Sequence, residues 1–117
     1  MADRKDNDFL NGVPELLALR LLARRPMHGY ELVQAIKLAT GGVLAFGEGC
    51  VYPVLHRLEA EGVLLAARES VNGRVRVVYH LTPAGAARLA ASAGRWDRVA
   101  AAVAAVLRGD AGEQALA

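Results

Sequence analysis

The stretch FGEGCVYPVLHRLEAEG, residues 46–62, decides how the whole chain is interpreted. Its second half has the spacing of an amphipathic helix, with Leu55 and Leu58 in the buried stripe. Its first half places two glycines, a cysteine and a proline where that helix should begin, and these residues are poor helix formers. A helix that only fills a core gains nothing from such a start. We therefore expect its first turn to lie against another molecule.

The proline and the glycines of this stretch fit one arrangement. Pro53 cannot bond to the carbonyl group four residues back, and that residue is Gly49, which has no side chain. If the helix begins near Gly47, Pro53 lies just beyond the first turn, where its cost is smallest. The glycines also leave the turn bare, so that free N–H groups can meet a phosphate group.

Two further helices precede this one. The first begins near Pro14 and ends before Pro26; it is apolar on most of its faces, which predicts contacts with its own core and with a second subunit. The second has His28 as a candidate N-cap, with Glu31 at the capping-box distance, and ends at Gly41.

A hairpin and a long helix follow. Asn72-Gly73 between two apolar-rich runs predicts a two-residue type I′ turn. One face of the second strand holds Val75, Val77, Tyr79 and Leu81, and the other holds Arg74, Arg76 and His80. Thr82-Pro83 then begins a helix of about 26 residues, roughly 39 Å long. This order predicts a mostly α fold (α+β), a winged helix-turn-helix with a two-stranded wing and a long C-terminal dimerisation helix.

The expected organisation has four parts. A disordered arm at 1–9 precedes a winged helix-turn-helix DNA-binding domain at 10–82. The C-terminal dimerisation helix covers 83–109, and a flexible tail covers 110–117.

Composition sets broad limits on function. The 117 residues suffice for one domain, and no apolar run approaches the roughly 20 residues of a membrane span. The net charge of +2 is too small to indicate nucleic acid by itself, although 12 of the 14 basic residues are arginine. The charged N-terminus and the single cysteine predict a cytoplasmic protein.

Cys50 is either a small apolar side chain or a redox-sensitive thiol at a helix N-terminus. No catalytic grouping and no metal-ligand spacing is present, so we expect no enzyme activity, no metal and no cofactor.

Four motifs resemble the PadR family of bacterial transcriptional regulators. They are HGYEL at 28–32, GCVYPVLHRLEAEGVL at 49–64, NGRVRVVYHLTPAG at 72–85, and Trp96 in the last helix. The resemblance runs from about residue 16 to residue 107, and the single C-terminal helix is similar to that of the smaller subfamily, in which this helix dimerises. It implies a homodimeric repressor that binds a palindromic operator in double-stranded DNA and is released by a small effector. The chain has Gly47 and Cys50 where the family often has Ser and Thr, so two hydroxyl groups that could touch phosphate are missing.

The expected DNA contacts come from the second and third helices and from the wing. They are Tyr30, Gly47, Glu48, Gly49, Cys50, Tyr52, His56, Arg57, Asn72, Gly73, Arg74 and Arg76. Alternatives stay open for several of them. Tyr30 and Tyr52 could be half-buried aromatic residues, Arg57 could pair with Glu59 or Glu61, and the wing arginines could be merely solvated.

The expected dimer and effector residues lie in the last helix, at heptad spacing or beside it. They are Leu89, Ser92, Ala93, Trp96, Val99, Ala100, Val103 and Leu107. The alternative is that this helix packs on its own subunit. Trp96 either stacks on a planar aromatic effector, as the resemblance implies, or closes the dimer interface as a plug. Two other functions stay open: a winged-helix module that binds protein without binding DNA, and a carrier of small molecules that uses only the dimer cleft.

Overall fold

The computed structural model describes residues 12–109, which form four α-helices and three β-strands. The helices are α1 (Val13–Arg24), α2 (Gly29–Ala39), α3 (Glu48–Ala60) and α4 (Pro83–Arg108). The strands are β1 (Met27–His28), β2 (Leu64–Val71) and β3 (Arg74–Leu81). Three helices, a hairpin and a long helix confirm the predicted winged helix-turn-helix. The predicted arm at 1–9 and tail at 110–117 lie outside the described residues.

Local signals at the helix starts act as predicted. The His28 side chain caps α2 by accepting a hydrogen bond from the Glu31 N–H, 3.4 Å away. Thr82 caps α4 by accepting from the Gly85 N–H at 3.1 Å. Gly47 precedes α3 without a side-chain cap. α3 therefore begins without the side-chain cap that α2 and α4 have.

The sheet has one strand more than the sequence predicted. Its order is β1-β3-β2, all antiparallel, with Met27 opposite Tyr79 and His28 opposite Val78. A two-residue strand is too short to show alternation, so β1 left no periodic signal. Asn72 and Gly73 have φ values of 52° and 80°, which confirms the predicted type I′ turn.

The core lies between α1, α2, α3, the base of the hairpin and the first turns of α4. Its largest fully buried side chains are Leu19, Leu32, Ile36, Val51, Leu55 and Leu58. The strand alternation holds only in part. Val78 is buried on the arginine face, where β1 pairs with β3, while Val75 is 64% exposed near the hairpin turn. The base of the hairpin belongs to the core, and its tip, the wing, projects from it.

Gly85→Ala is expected to destabilise the fold by about 2 kcal/mol, as overpacking in a close-packed core does. A Cβ at Gly85 would lie 2.2 Å from the Val63 carbonyl oxygen and 2.6 Å from Leu81 Cδ1. Gly94→Ala in the same helix is the matched control, since its Cβ meets nothing closer than Arg98 Nη1 at 3.9 Å. The control should stabilise the fold by about 0.5–1 kcal/mol. Urea unfolding measures both, and equal effects would contradict the packing described.

Candidate nucleic-acid interface

The first turn of α3 is open. Gly47 has an extended backbone, and its carbonyl oxygen accepts from the N–H groups of Cys50 and Val51, both at 3.0 Å. A Cβ built at Gly47 or at Gly49 would meet no atom within 4 Å. Neither glycine has a positive φ. Nothing within residues 12–109 therefore requires glycine at either position.

Gly29, unlike Gly47 and Gly49, lies where a side chain would collide with its surroundings. A Cβ at this position would lie 2.3 Å from Tyr52 Cε1 and 2.9 Å from the Tyr52 hydroxyl oxygen. The ring of Tyr52 thus lies against the start of α2, beside Tyr30, which is 52% exposed. The ring centroids of Tyr52 and His56 are 6.3 Å apart. The glycine of the HGYEL motif is what allows the starts of α2 and α3 to meet.

Tyr52 has features that fit both roles that the sequence left open. It is half-buried and packs against the core, as a structural aromatic residue does. Its hydroxyl group nevertheless has no hydrogen-bond partner among the described residues. The hydroxyl is therefore available to an external acceptor.

Cys50 is half-buried in the third position of α3. A helix N-terminus favours a thiolate, but burial acts in the other direction and raises the pKa of Cys50. The neutral thiol is therefore favoured, which supports the interpretation of Cys50 as a small apolar side chain.

Arg57 is engaged within the chain. It donates to Glu15 of α1 at 2.8 Å and to Glu61, the C-cap of α3, at 3.5 Å. The hydrogen bond to Glu15 raises the pKa of Arg57 above its already high ordinary value. The sequence suggested Glu61 as a partner but gave no sign of Glu15, which is 42 positions away.

The wing carries arginine on both faces. Arg74 is exposed beside the turn, and Arg76 lies opposite Glu69 of β2. Glu69 also contacts His80 on the same face. Arg68, which the sequence analysis missed, lies opposite Val77 on the other face. α3 contacts β2, so this helix packs against the hairpin from which the wing projects.

The predicted dimer and effector residues divide along α4. Leu89 was expected among the dimer and effector residues. Instead, the first turns of α4 pack on α1 and β3, and they bury Leu89 in the core of its own chain. Beyond it the stripe is largely exposed. Trp96, Val99, Val103, Val106 and Leu107 are 49%, 56%, 53%, 65% and 81% exposed, and Ser92, Ala93 and Ala100 are half-buried.

Ser92, Trp96 and Val99 line one wall of a cleft of about 330 Å³, which we call the Trp96 cleft. Its remaining lining residues are Arg95 of α4 and Gly12, Val13, Glu15 and Leu16 at the start of α1. Arg95 donates to the Ser92 hydroxyl at 3.2 Å. The sequence analysis placed Ser92, Trp96 and Val99 together but missed the two charged residues, which are Glu15 and Arg95.

Two kinds of site or segment are absent from residues 12–109. No three His, Cys, Asp or Glu side chains cluster so as to hold a metal ion. Within the same residues, no helix is both long enough and apolar enough to cross a membrane.

The fold and the open start of α3 define a winged helix-turn-helix of the kind found in DNA-binding transcriptional regulators. The chain belongs to the PadR-like family of transcriptional regulators, whose family model matches residues 18–91.

Named relatives agree with this assignment. The transcriptional regulator Rv3488 of Mycobacterium tuberculosis is 40% identical over 82 residues, which cover 70% of this chain and 74% of that protein. The transcriptional regulator YqjI of Escherichia coli is 35% identical over 83 residues, covering 71% of this chain but only 39% of YqjI. A crystal structure of the PadR-like regulator BC4206 of Bacillus cereus matches with a TM-score of 0.77 at 27% identity, covering 88% of this chain and 99% of that one.

Alkylation of Cys50 by iodoacetamide should have a pH midpoint above that of the same chain unfolded in urea. Because burial raises the folded-state pKa, Cys50 contributes stability below its unfolded pKa, and that contribution is lost as pH rises through the folded pKa. Unfolding of wild type and Cys50→Ala from neutral to alkaline pH checks this sign. A native midpoint below that of the unfolded chain would indicate an activated thiol.

Proposed function

We propose that this PadR-family regulator is a homodimeric repressor of transcription that binds a palindromic operator and is released by a small planar aromatic effector. The observation that supports DNA binding most directly is the open first turn of α3, where Gly47 and Gly49 present no side chain. Gly49 lies within the helix and lowers its stability by about 1 kcal/mol relative to alanine, Gly47 at the N-cap supplies no side-chain cap, and no contact within the described chain requires either glycine. A DNA backbone approaching the free N–H groups of this turn accounts for both.

The neighbouring side chains suit the same role. Tyr52 offers a free hydroxyl from the start of α3, and Tyr30 is exposed at the start of α2. Glu48 and His56 are exposed on α3, with Cys50 half-buried between them. We assign phosphate contact to the two tyrosines and base-edge contact to His56, since it lies further along the helix that enters the groove.

The homodimer is proposed from the outer half of α4. An isolated subunit would expose an apolar stripe that includes Val99, Val103 and Leu107, with a groove between Val103 and Leu107. A second α4 related by a two-fold axis covers such a stripe, and the same axis matches a palindromic operator.

The Trp96 cleft is the proposed effector site, and its charges favour a planar anion. Glu15 already accepts from Arg57, whereas Arg95 forms no ion pair among the described residues and donates only to the neutral Ser92 hydroxyl. A ring stacked on Trp96 would place a carboxylate near Arg95.

One observation favours a second candidate function, a winged-helix module that binds another protein. Val75 and Val77 are 64% and 44% exposed on the face of β3 opposite Arg74 and Arg76. Such a module is expected to present apolar side chains. Loss of salt-sensitive DNA binding on removal of the arginines favours the first function, whereas a DNA-independent complex lost on Val75→Ser favours the second.

Gly49→Leu should weaken operator binding by about tenfold or more, because the side chain blocks hydrogen bonds from the first turn to a charged phosphate. The fold should gain about 0.5–1 kcal/mol, since leucine is the better helix former. Ala84→Leu is the matched control, because Ala84 is the exposed second residue of α4 as Gly49 is of α3. A gel shift and urea unfolding measure both effects; unchanged binding by Gly49→Leu would remove α3 from the interface.

Replacing Arg74 and Arg76 together with alanine should weaken binding across DNA sequences and reduce the salt slope by up to about 2. Arg68→Ala, on the opposite face of the wing, should leave the slope unchanged. Anisotropy titrations at several salt concentrations give the slopes. If Arg68→Ala alone lowers the slope, the other face of the wing meets the DNA.

Titration with 4-hydroxycinnamate should quench the single tryptophan saturably and lower operator affinity, with the cation rhodamine 6G binding more weakly. Arg95→Gln should remove the preference for the anion. Indifference to both probes, together with dissociation of the dimer by Trp96→Ala in sedimentation, would instead make Trp96 a dimer plug.

A further inference from the structure

Four charged side chains from three helices form an alternating ion-pair network. Arg57 of α3 pairs with Glu15 and Glu61, as described above. Arg88 of α4 closes the ring, with its Nη1 2.5 Å from Glu61 Oε1 and 3.9 Å from Glu15 Oε2. The pairing with Arg88 lowers the pKa of Glu61. The network thus ties the last turn of the recognition helix to α1 and α4.

Glu15 is the described residue that belongs both to this network and to the Trp96 cleft. It is also the least exposed of the four side chains, at 21%, compared with 48% for Arg57 and 34% for Arg88. Releasing Arg57 to a DNA phosphate would leave the Glu15 carboxylate with Arg88 alone, at 3.9 Å. A partly buried carboxylate that loses its hydrogen-bonded partner is costly, so the network favours keeping Arg57 in place.

We propose that Arg57 is a positioning residue and not a phosphate ligand, and that Glu15 transmits occupancy of the Trp96 cleft to the recognition helix. Through Glu15, Arg57 fixes the last turn of α3 against α1 and α4, which sets the angle at which the first turn meets DNA. The part that concerns the cleft rests on the effector site proposed above.

The position of the Glu15 carboxylate links the Trp96 cleft physically to the ion-pair network. A planar anion stacked on Trp96 with its charge near Arg95 lies beside Glu15 in the same cleft and repels it. Movement of Glu15 breaks the 2.8 Å hydrogen bond to Arg57 and loosens α3. A ligand shifts an equilibrium only by binding two states differently, and the paired and unpaired positions of Glu15 supply two such states.

The first test is a double-mutant cycle read by DNA affinity and salt slope. Glu15→Gln and Arg57→Gln should each lower operator affinity by about fivefold, and the double variant should be no weaker than the weaker single variant. The salt slope should stay at its wild-type value in all three. Arg20→Gln, an exposed arginine of α1 outside the network, is the control for loss of charge. A slope reduced by about 1 in Arg57→Gln would show a phosphate contact and overturn the proposal.

The second test measures coupling with 4-hydroxycinnamate as the probe. In Glu15→Gln the probe should still quench Trp96, with a Kd lower than that of wild type because the repelling charge is gone, while its effect on operator affinity falls to near unity. An unchanged effect would overturn the role of Glu15. If the probe fails to quench Trp96 in the wild-type protein, the effector site fails and the link through Glu15 falls with it. The double-mutant cycle then decides the positioning role of Arg57 separately.

Discussion

The burial of one face of α3 is the interaction on which the rest of the structure depends. Val51, Leu55 and Leu58 are at most 2% exposed, and they hold the helix against α1, α2 and β2. Since these contacts fix the rotation of the helix, the opposite face is forced outward with Gly49 and His56 upon it. Folding and presentation of the proposed DNA-facing surface are thus one event, because the residues that close the core also fix the orientation of the open first turn.

The glycines of the chain separate what the fold needs from what a partner needs. Gly29 and Gly85 are required internally, by the Tyr52 ring and by the Val63 carbonyl. Gly47 and Gly49 have no such reason within the described chain, although Gly49 weakens the helix in which it lies. The loss of helix stability at this exposed helix start is explained if the function requires another backbone to approach it closely.

Local signals made much of this structure predictable. The Asn72-Gly73 turn and the Thr82 cap depend on neighbouring residues only, so the sequence located both correctly. The pairing of Arg57 with Glu15 joins distant parts of the chain, and short-range spacing pointed only to nearer partners. Leu89 fits a heptad pattern but lies in the core, because periodicity identifies an apolar face without showing which surface covers it. The charged residues of the Trp96 cleft come from two helices whose packing no single motif encodes.

The most direct measurement is the affinity of the protein for DNA from its own upstream region, taken between about 50 and 200 mM salt, a range over which several phosphate contacts produce a large change. The account predicts saturable binding whose logarithm falls linearly with the logarithm of the salt concentration, with a slope that reports contacts from the α3 start and the wing. Absence of binding to any upstream fragment, or binding that is indifferent to salt, would contradict the claim that the open start of α3 is a surface for the DNA backbone.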